Sequence, residues 1–248
     1  MKGPAYDFPR WPAWELFRTH FRRYGLKAIY KSFRYTIRRP FSRALIARHA
    51  PRGRGVEVGV GSQSIAPLGR TYLSDAHAGH AGQTSLARLR ADAWKLPFES
   101  GSLAFVLSEH VLEHIANPLR ALREWHRVLE PGGALLLFLP HPARCFDRNR
   151  ERTTLAHVIE DERAGVDDAD PTHLPEWLER VVGPGLAPQY ADLAPEAMLS
   201  TGSIHYHVWG PEQMVELLEH AGFEIRETHE TVPDRNDSFA VVARRKVS

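Results

Sequence analysis

The stretch VEVGVGS, residues 56–62, joins an apolar strand to a Gly-x-Gly turn. The strand carries one acid, Glu57, among apolar neighbours. Glycine has no Cβ, so Gly59 and Gly61 can adopt positive φ and let a ligand lie against bare backbone. In α/β proteins such a turn brings the backbone close to a nucleotide-like ligand. The stretch therefore predicts a binding turn at the end of a sheet strand.

From residue 55 onward, strand patterns alternate with helical patterns, which is the signature of a parallel sheet. The predicted strands are 56–58, 71–74, 89–91, 103–108, 134–139, 223–227 and 239–243. The last two resemble an antiparallel hairpin at the sheet edge. We therefore predict an α/β fold with a doubly wound, Rossmann-like, mostly parallel seven-stranded sheet that has an antiparallel edge strand.

Residues 141–207 interrupt this alternation. They are rich in Pro, Asp, Arg and His, and only 153–163 and 174–181 have a helical pattern. The regular pattern resumes at Gly210-Pro211. We expect one domain over residues 51–248, with 141–207 as a lid-like insertion on the substrate side, before the last helix–strand units.

The N-terminal residues 1–50 form a separate unit with a strong positive charge. Trp14, Phe17, Phe21 and Tyr24 recur at helical spacing, with basic residues between them. Residues 1–54 hold 14 lysines and arginines against two acids, whereas the remainder holds 18 against 28. This pattern predicts a basic, aromatic helical extension that either packs on the core or contacts an anionic ligand or an anionic membrane surface.

Composition limits the compartment and the class of protein. The longest purely apolar run, 134–139, is far shorter than the ~20 residues of a membrane helix. The N-terminus lacks the apolar core of a secretory signal. A single cysteine, Cys145, excludes an internal disulfide and fits a reducing compartment. We expect a cytoplasmic protein and leave open peripheral contact with the inner face of the membrane.

Polar residues follow each of the first four predicted strands. Asp75 follows the second strand, Asp92 and Ala93 follow the third, and Ser108 and His110 lie at the end of the fourth. Ligands bind at the carboxyl ends of the strands in an open α/β sheet. A carboxylate can accept two hydrogen bonds at once, which suits ribose hydroxyls, and an acid beside a backbone N–H suits an adenine edge.

Three stretches resemble the class I S-adenosylmethionine-dependent methyltransferases: VEVGVGS, ADAWKLPFESGSLAFVLSEHVLEHI and ALREWHRVLEPGGALLLFLP. They are similar in particular to the group that carries DA-x-x-LPF and VLEH stretches around the fourth strand. The resemblance implies S-adenosylmethionine as cofactor. It assigns to cofactor binding Glu57, Gly59, Gly61, Ser62, Asp75, Asp92, Ala93, Ser108 and His110. Between Gly61 and the second strand the chain is short, so the family's first helix must be stunted.

Two parts of the chain indicate the type of methyl acceptor: the residues after the fourth strand and the insertion. Residues 108–111 are Ser-Glu-His-Val, not the Asp/Asn-Pro-Pro-aromatic motif of methyltransferases that act on exocyclic base amines, so an oxygen or carbon acceptor is favoured. A hydroxyl acceptor also needs a base. The candidates are His141, which follows the fifth strand, and His205 and His207, which alternate and would share one face of an extended segment.

The insertion also contains acids with metal-ligand chemistry. Oxygen ligands suit Mg²⁺, and the candidate set is Asp161, Asp167, Asp168, Asp170 and His173. We interpret this stretch instead as a solvated acidic loop and predict no metal site.

We predict O-methylation of a small molecule, a sugar or glycan, or a secondary metabolite, and three other functions compete with it. A dinucleotide-dependent oxidoreductase is disfavoured because Ser64 stands where a third glycine would be. A non-catalytic docking module is disfavoured because such a protein would not need acids at the ends of its strands. An RNA methyltransferase would use the basic extension on phosphates, but the acidic body and the missing Pro-Pro motif argue against nucleic acid. The oligomeric state is left open.

Overall fold

The computed structural model describes residues 39–80 and 83–247. Within these ranges a seven-stranded sheet has the order β5-β2-β1-β6-β7-β9-β8. The strands are β1 Gly55–Val58, β2 Thr71–Asp75, β5 Leu89–Arg90, β6 Leu103–Glu109, β7 Leu129–Pro140, β8 Phe223–His229 and β9 Ser238–Arg245. A separate two-stranded ribbon pairs β3, Gly79–His80, with β4, Gln83–Thr84.

Strand directions confirm the predicted sheet. The pairs β1–β2, β1–β6, β2–β5 and β6–β7 are parallel. β9 is antiparallel to both of its neighbours, β7 and β8. The antiparallel strand therefore lies one position in from the edge strand β8. Because the chain moves from β1 to β2 on one side and later to β6 on the other, the strand order reverses between β1 and β6, where ligands bind in sheets of this type.

Helices lie along the chain between these strands and in the insertion. They are α1 Pro40–His49, α2 Pro118–Val128, α3 Leu155–Ala164, α4 Leu174–Trp177, α5 Pro195–Ser200 and α6 Pro211–His220. α2 begins at Pro118, because Asn117 accepts a hydrogen bond from the Arg120 N–H at 3.1 Å and Pro118 is favourable in the first turn. None of the helices in the described ranges has the length and apolar character to cross a membrane.

The sheet has an apolar core on each face, as alternating side chains require. On β6, Val106 belongs to the core beneath α2 and α6, whereas Phe105 and Leu107 belong to the opposite core. That opposite core also contains Leu45 and Ile46 of α1. The last part of the predicted 1–50 extension is therefore packed against the sheet. The predicted amphipathic helix around Trp14–Tyr24 lies outside the described residues.

The insertion has a small core of its own. Trp177, Val181, Met198 and Tyr206 are buried together. The helical patches predicted at 153–163 and 174–181 are present as α3 and as α4 with a following π-helical turn, Leu178–Val182.

Two local features differ in detail from a regular α/β unit. Only a 3₁₀ turn, Leu68–Arg70, stands between β1 and β2, which agrees with the stunted helix expected there. β7 begins at Leu129 rather than at the predicted Ala134. The pairing with β6 shifts register between Leu129 and Ala134, because Gly132 adopts φ +76° and the extra residues bulge outward.

Candidate active site

A cavity of about 1270 Å³ opens at the carboxyl ends of β1, β2, β5 and β6. This is the reversal point of the strand order, so the cavity lies where the fold predicts a ligand. Seven of the residues assigned to the cofactor line it: Gly59, Gly61, Ser62, Asp75, Asp92, Ala93 and His110.

The turn after β1 is built from two glycines in the left-handed region. Gly59 has φ +67° and Gly61 has φ +53°. A Cβ on Gly59 would overlap the Val111 side chain, whereas a Cβ on Gly61 would meet no atom within 4 Å. Gly59 therefore allows close packing against the end of β6, and Gly61 leaves open space in front of bare backbone.

Asp75 ties the turn to the end of β2. Its Oδ2 accepts hydrogen bonds from the Gly61 N–H at 3.1 Å and from the Ser85 hydroxyl at 2.7 Å. Its Oδ1 accepts one from the His77 N–H at 3.0 Å. Three of the about four acceptor positions of the carboxylate are thus filled by protein groups, and one remains for a ligand hydroxyl.

The Asp92 carboxylate differs from that of Asp75 in its surroundings. It lines the cavity, it is exposed, and within the described residues its side chain accepts no hydrogen bond. Trp94 beside it also lines the cavity, and the Arg120 guanidinium lies 3.7 Å over its ring. Asp92 is therefore a carboxylate held at the cavity with its acceptor positions available.

Glu57 and Ser108, which the resemblance assigns to the cofactor, are buried beneath the cavity and are not part of its lining. Glu57 is 2% exposed. One of its oxygens accepts a hydrogen bond from the Ser64 hydroxyl and the other accepts one from the Ile65 N–H at 3.4 Å. Burial raises the pKa of Glu57 to about 8. The strand acid therefore fastens the following loop from below, since its alternating register points it away from the opening.

The cavity wall carries an ionic cluster that was not predicted from the sequence. Glu109 Oε1 lies 2.5 Å from Arg39 and 3.0 Å from Arg235. Burial opposes ionisation of Glu109, but Arg235 and Arg39 outweigh it and hold its pKa below the ordinary value. Asp234 and Asp237 pair with the same two arginines at 3.3 Å. Glu109 stood next to the predicted Ser108 and His110, but its partners lie far away in the chain, so sequence spacing did not reveal the cluster.

Within the described residues, three histidines line the cavity: His77, His110 and His114. His110 adopts φ +52°, and its Nε2 lies 2.7 Å from the Ser238 hydroxyl. Burial, followed by the positive charge of Arg235, holds the pKa of His110 well below its ordinary value. His114 Nδ1 lies 2.9 Å from the Ile204 carbonyl oxygen. A carbonyl only accepts, so Nδ1 carries the proton and Nε2 of neutral His114 has a lone pair.

The predicted bases His141, His205 and His207 are not among the residues that line the cavity. His141 Nε2 lies 2.6 Å from Glu230, and its Nδ1 accepts the Ala143 N–H. β7 is one strand beyond the reversal point, and the chain after it turns toward the β8–β9 connection.

The other two histidines are buried inside the insertion. His205 Nδ1 lies 2.6 Å from Asp147, and His207 Nε2 donates to the Ala116 carbonyl oxygen at 3.0 Å. Residues 203–210 are all buried, so the alternation has no face that opens to the cavity.

The acids considered for Mg²⁺ are dispersed. Asp168 lines the cavity and accepts a hydrogen bond from the Ala116 N–H at 2.9 Å. Asp167 and Asp170 each accept a backbone N–H two residues later in the exposed loop. Asp161 and His173 lie elsewhere, beside other histidines.

The cavity fits a nucleoside that carries an amino acid chain. Gly61 offers a cradle that a Cβ would fill, Asp75 retains an acceptor position, and Asp92 has its carboxylate available. These are the groups that the family assigns to S-adenosylmethionine, and they share one opening.

Comparisons with known proteins agree with this fit. The profile of the methyltransferase domain matches residues 57–137. An uncharacterised methyltransferase of Mycobacterium sp. (strain KMS) is 43% identical over 61 residues, which are 25% of this chain and 24% of that protein. An uncharacterised 37.1 kDa protein in transposon TN4556 of Streptomyces fradiae is 33% identical over 99 residues, 36% of this chain and 28% of its own. The chain spans about a quarter of the length of these curated relatives.

A solved structure supports the fold. The complex between the Haloferax volcanii Trm112 methyltransferase activator and a methyltransferase contains a chain that is 17% identical to this one. The alignment covers 87% of this chain and 93% of that chain, with a TM-score of 0.50. The comparisons therefore show a methyltransferase-domain match over residues 57–137 and a methyltransferase fold, and these imply S-adenosylmethionine as the cofactor.

Proposed function

We propose that this chain transfers a methyl group from S-adenosylmethionine to a hydroxyl of a small-molecule or glycan acceptor. The observation that carries the proposal is one cavity lined by the Gly59–Gly61 turn, by Asp92 and by histidines that include His110 and His114. The bound cofactor supplies an electrophilic methyl group on a sulfonium. The chain supplies position, exclusion of water and a base.

The charge of the cavity supports an acceptor without phosphates. Two arginines, Arg39 and Arg235, line it. Seven acids line it as well: Asp75, Asp92, Glu109, Asp168, Glu196, Asp234 and Asp237. A polyanionic acceptor would be repelled by this excess of acids, whereas sugar hydroxyls are good donors to carboxylates.

We assign the role of base to His114. The Ile204 carbonyl holds its proton on Nδ1, which leaves Nε2 as the basic atom. Glu113 Oε1 lies 3.9 Å from both His110 Nδ1 and His114 Nε2, so it does not distinguish the two histidines. Burial holds the pKa of His110 well below its ordinary value, which makes His110 a weak base. His114 is therefore better arranged to accept a proton from an acceptor hydroxyl.

Cofactor choice is tested by calorimetric titration of the full chain with S-adenosylhomocysteine and with NAD. We expect S-adenosylhomocysteine to bind and NAD to give no heat of binding. Transfer is then followed with methyl-labelled S-adenosylmethionine on a panel of sugars, phenols and RNA. Binding of NAD in place of S-adenosylhomocysteine, or transfer to RNA alone, would contradict the proposal.

Replacement of the base gives a sharper test. His114→Gln should lower kcat by about 10²–10⁴-fold, the usual contribution of a general base, while the affinity for S-adenosylhomocysteine stays the same. The exposed His220 on α6 gives the matched control, His220→Gln, which should leave kcat unchanged. An unchanged kcat in His114→Gln would remove this histidine from the reaction.

A further inference from the structure

Four side chains of the insertion converge away from the cavity lining. His157, Asp161, His173 and His207 each bring one potential ligand atom to within 4.8 Å of the others. His157 and Asp161 stand one turn apart on α3, His173 directly precedes α4, and His207 lies in the segment that leads to α6. Three parts of the chain that are distant in sequence therefore meet at one point with four metal-binding groups.

The spacing of these atoms is that of a tetrahedral metal site. Ligands at the usual Zn–N and Zn–O distances lie about 3.3–3.6 Å from one another at the corners of a tetrahedron. His157 Nε2 is 3.4 Å from His173 Nε2 and 3.3 Å from Asp161 Oδ2. The His207 ring lies beside the same Asp161 oxygen, with its Nε2 at 3.9 Å. Two measured pairs of ligand atoms thus match the expected edge.

Two buried polar atoms in this cluster have no hydrogen-bond partner within the described residues. They are Asp161 Oδ2 and His207 Nδ1. The His207 side chain is fully buried, and leaving a buried polar group without a partner is unfavourable. His207 donates from Nε2 to the Ala116 carbonyl, so Nδ1 keeps a lone pair. Metal-binding histidines are commonly oriented in this way by a backbone carbonyl.

We propose that His157, Asp161, His173 and His207 bind a Zn²⁺ ion in a closed, structural site. Three imidazoles and one carboxylate suit zinc, whereas Mg²⁺ prefers a shell of oxygen atoms and water. Four protein ligands leave no open position, which is typical of a structural site. The sequence did not predict this site, because it grouped Asp161 and His173 with the neighbouring acids instead of with two distant histidines.

The ion would fix the loop that carries Asp168 to the cavity. That loop, residues 165–172, runs between Asp161 on α3 and His173. His207 is joined through Ala116 to Asp168, because Ala116 accepts from His207 and donates to the Asp168 carboxylate. The neighbouring Tyr206 hydroxyl donates to the Asp168 carbonyl. The zinc site would therefore stabilise the insertion and one wall of the cavity without touching the reacting atoms.

The test is metal binding by the full chain. Protein stripped with a chelator is titrated with Zn²⁺ against a chromogenic competitor, and we expect one ion per chain and a higher Tm with zinc bound. Co²⁺ in place of Zn²⁺ should give the visible absorption of tetrahedral coordination. His157 is half-exposed, so His157→Gln should fold and should lose about 100-fold or more in zinc affinity. His220→Gln serves as the control and should bind zinc like the unmodified chain.

The outcomes separate this proposal from methyl transfer. Normal S-adenosylhomocysteine affinity in His157→Gln would show that the variant is folded. Failure of the stripped, unmodified chain to take up one Zn²⁺, or equal zinc affinity in His157→Gln and His220→Gln, would overturn the site. Either result leaves the cofactor and acceptor measurements unaffected, because none of the four ligands lines the cavity.

Discussion

At the scale of single residues, Asp75 at the end of β2 and Asp92 after β5 have different roles. The Asp75 carboxylate holds the loop, since it accepts three hydrogen bonds from protein groups. The Asp92 carboxylate accepts none within the described residues and faces the cavity. Loss of the Asp75 carboxylate should therefore destabilise the loop and weaken ligand binding. Loss of the Asp92 carboxylate should weaken ligand binding alone.

Substitution of each acid by alanine tests this difference. Asp92→Ala should weaken S-adenosylhomocysteine binding by about 10- to 100-fold, the value of a hydrogen bond to a charged group, without a change in Tm. Asp75→Ala should lower both affinity and Tm, because three donors lose their acceptor. Calorimetric titration and thermal unfolding give the two readouts. Equal affinity of Asp92→Ala and the unmodified chain would exclude Asp92 from the binding site.

Glu57 makes the free energy of unfolding depend on pH. Burial raises its pKa from 4.5 to about 8 in the folded chain. Between these values the folded state keeps a proton that the unfolded state releases. The contribution of Glu57 to stability is therefore fully present below about pH 4.5 and is lost as pH rises toward 8. The slope is about 1.4 kcal/mol per pH unit at most.

The variant Glu57→Gln isolates this effect. Glutamine keeps an acceptor for the Ser64 hydroxyl but does not titrate. We expect the unfolding free energy of the unmodified chain, relative to that of Glu57→Gln, to decrease steadily from about pH 5 to pH 8. Denaturant unfolding at a series of pH values measures the difference. A difference that is flat across this range would mean that Glu57 is ionised in the folded chain.

At the scale of elements, the sequence predicted well those parts that local chemistry determines. β1, β2 and β6 are present close to their expected bounds, because apolar runs act within a few residues. The Asn117 cap and Pro118 determine the start of α2 in the same local way. The insertion could not be predicted in this way. All residues of its segment 203–210 are buried, so the alternation of His205 and His207 carried no information about exposure.

The turn after β1 offers a paired test at this scale. Both glycines have positive φ, which costs about 1 kcal/mol or more in any other residue. Gly59→Ala adds an overlap with Val111, so it should lower Tm clearly more than Gly61→Ala. Gly61→Ala projects its methyl group into the opening and should instead weaken S-adenosylhomocysteine binding. Thermal unfolding measures the loss of Tm in both variants, and calorimetry measures their affinity for S-adenosylhomocysteine. An equal loss of Tm would contradict the assigned roles.

At the scale of the whole molecule, charge is divided along the chain. The 14 basic residues in 1–54 oppose only two acids, while the remainder carries an excess of ten acids. The lining of the cavity likewise contains more acids than arginines. The C-terminal part of the extension belongs to the folded domain, because Arg39 pairs with Glu109 and α1 is buried against the sheet. A functional surface on the extension should therefore be sought before residue 39.

We propose that residues 1–38 contact anionic membranes, and their deletion tests this. The full chain should sediment with vesicles that contain anionic phosphatidylserine and should stay in solution with neutral phosphatidylcholine vesicles, because several basic residues near an anionic surface contribute about 1 kcal/mol each. The chain that begins at residue 39 should lose this binding and keep its affinity for S-adenosylhomocysteine. High salt should weaken the vesicle binding of the full chain, since exposed charges are screened. Equal sedimentation of the two chains would assign the basic residues to another anionic partner or to the acidic body itself.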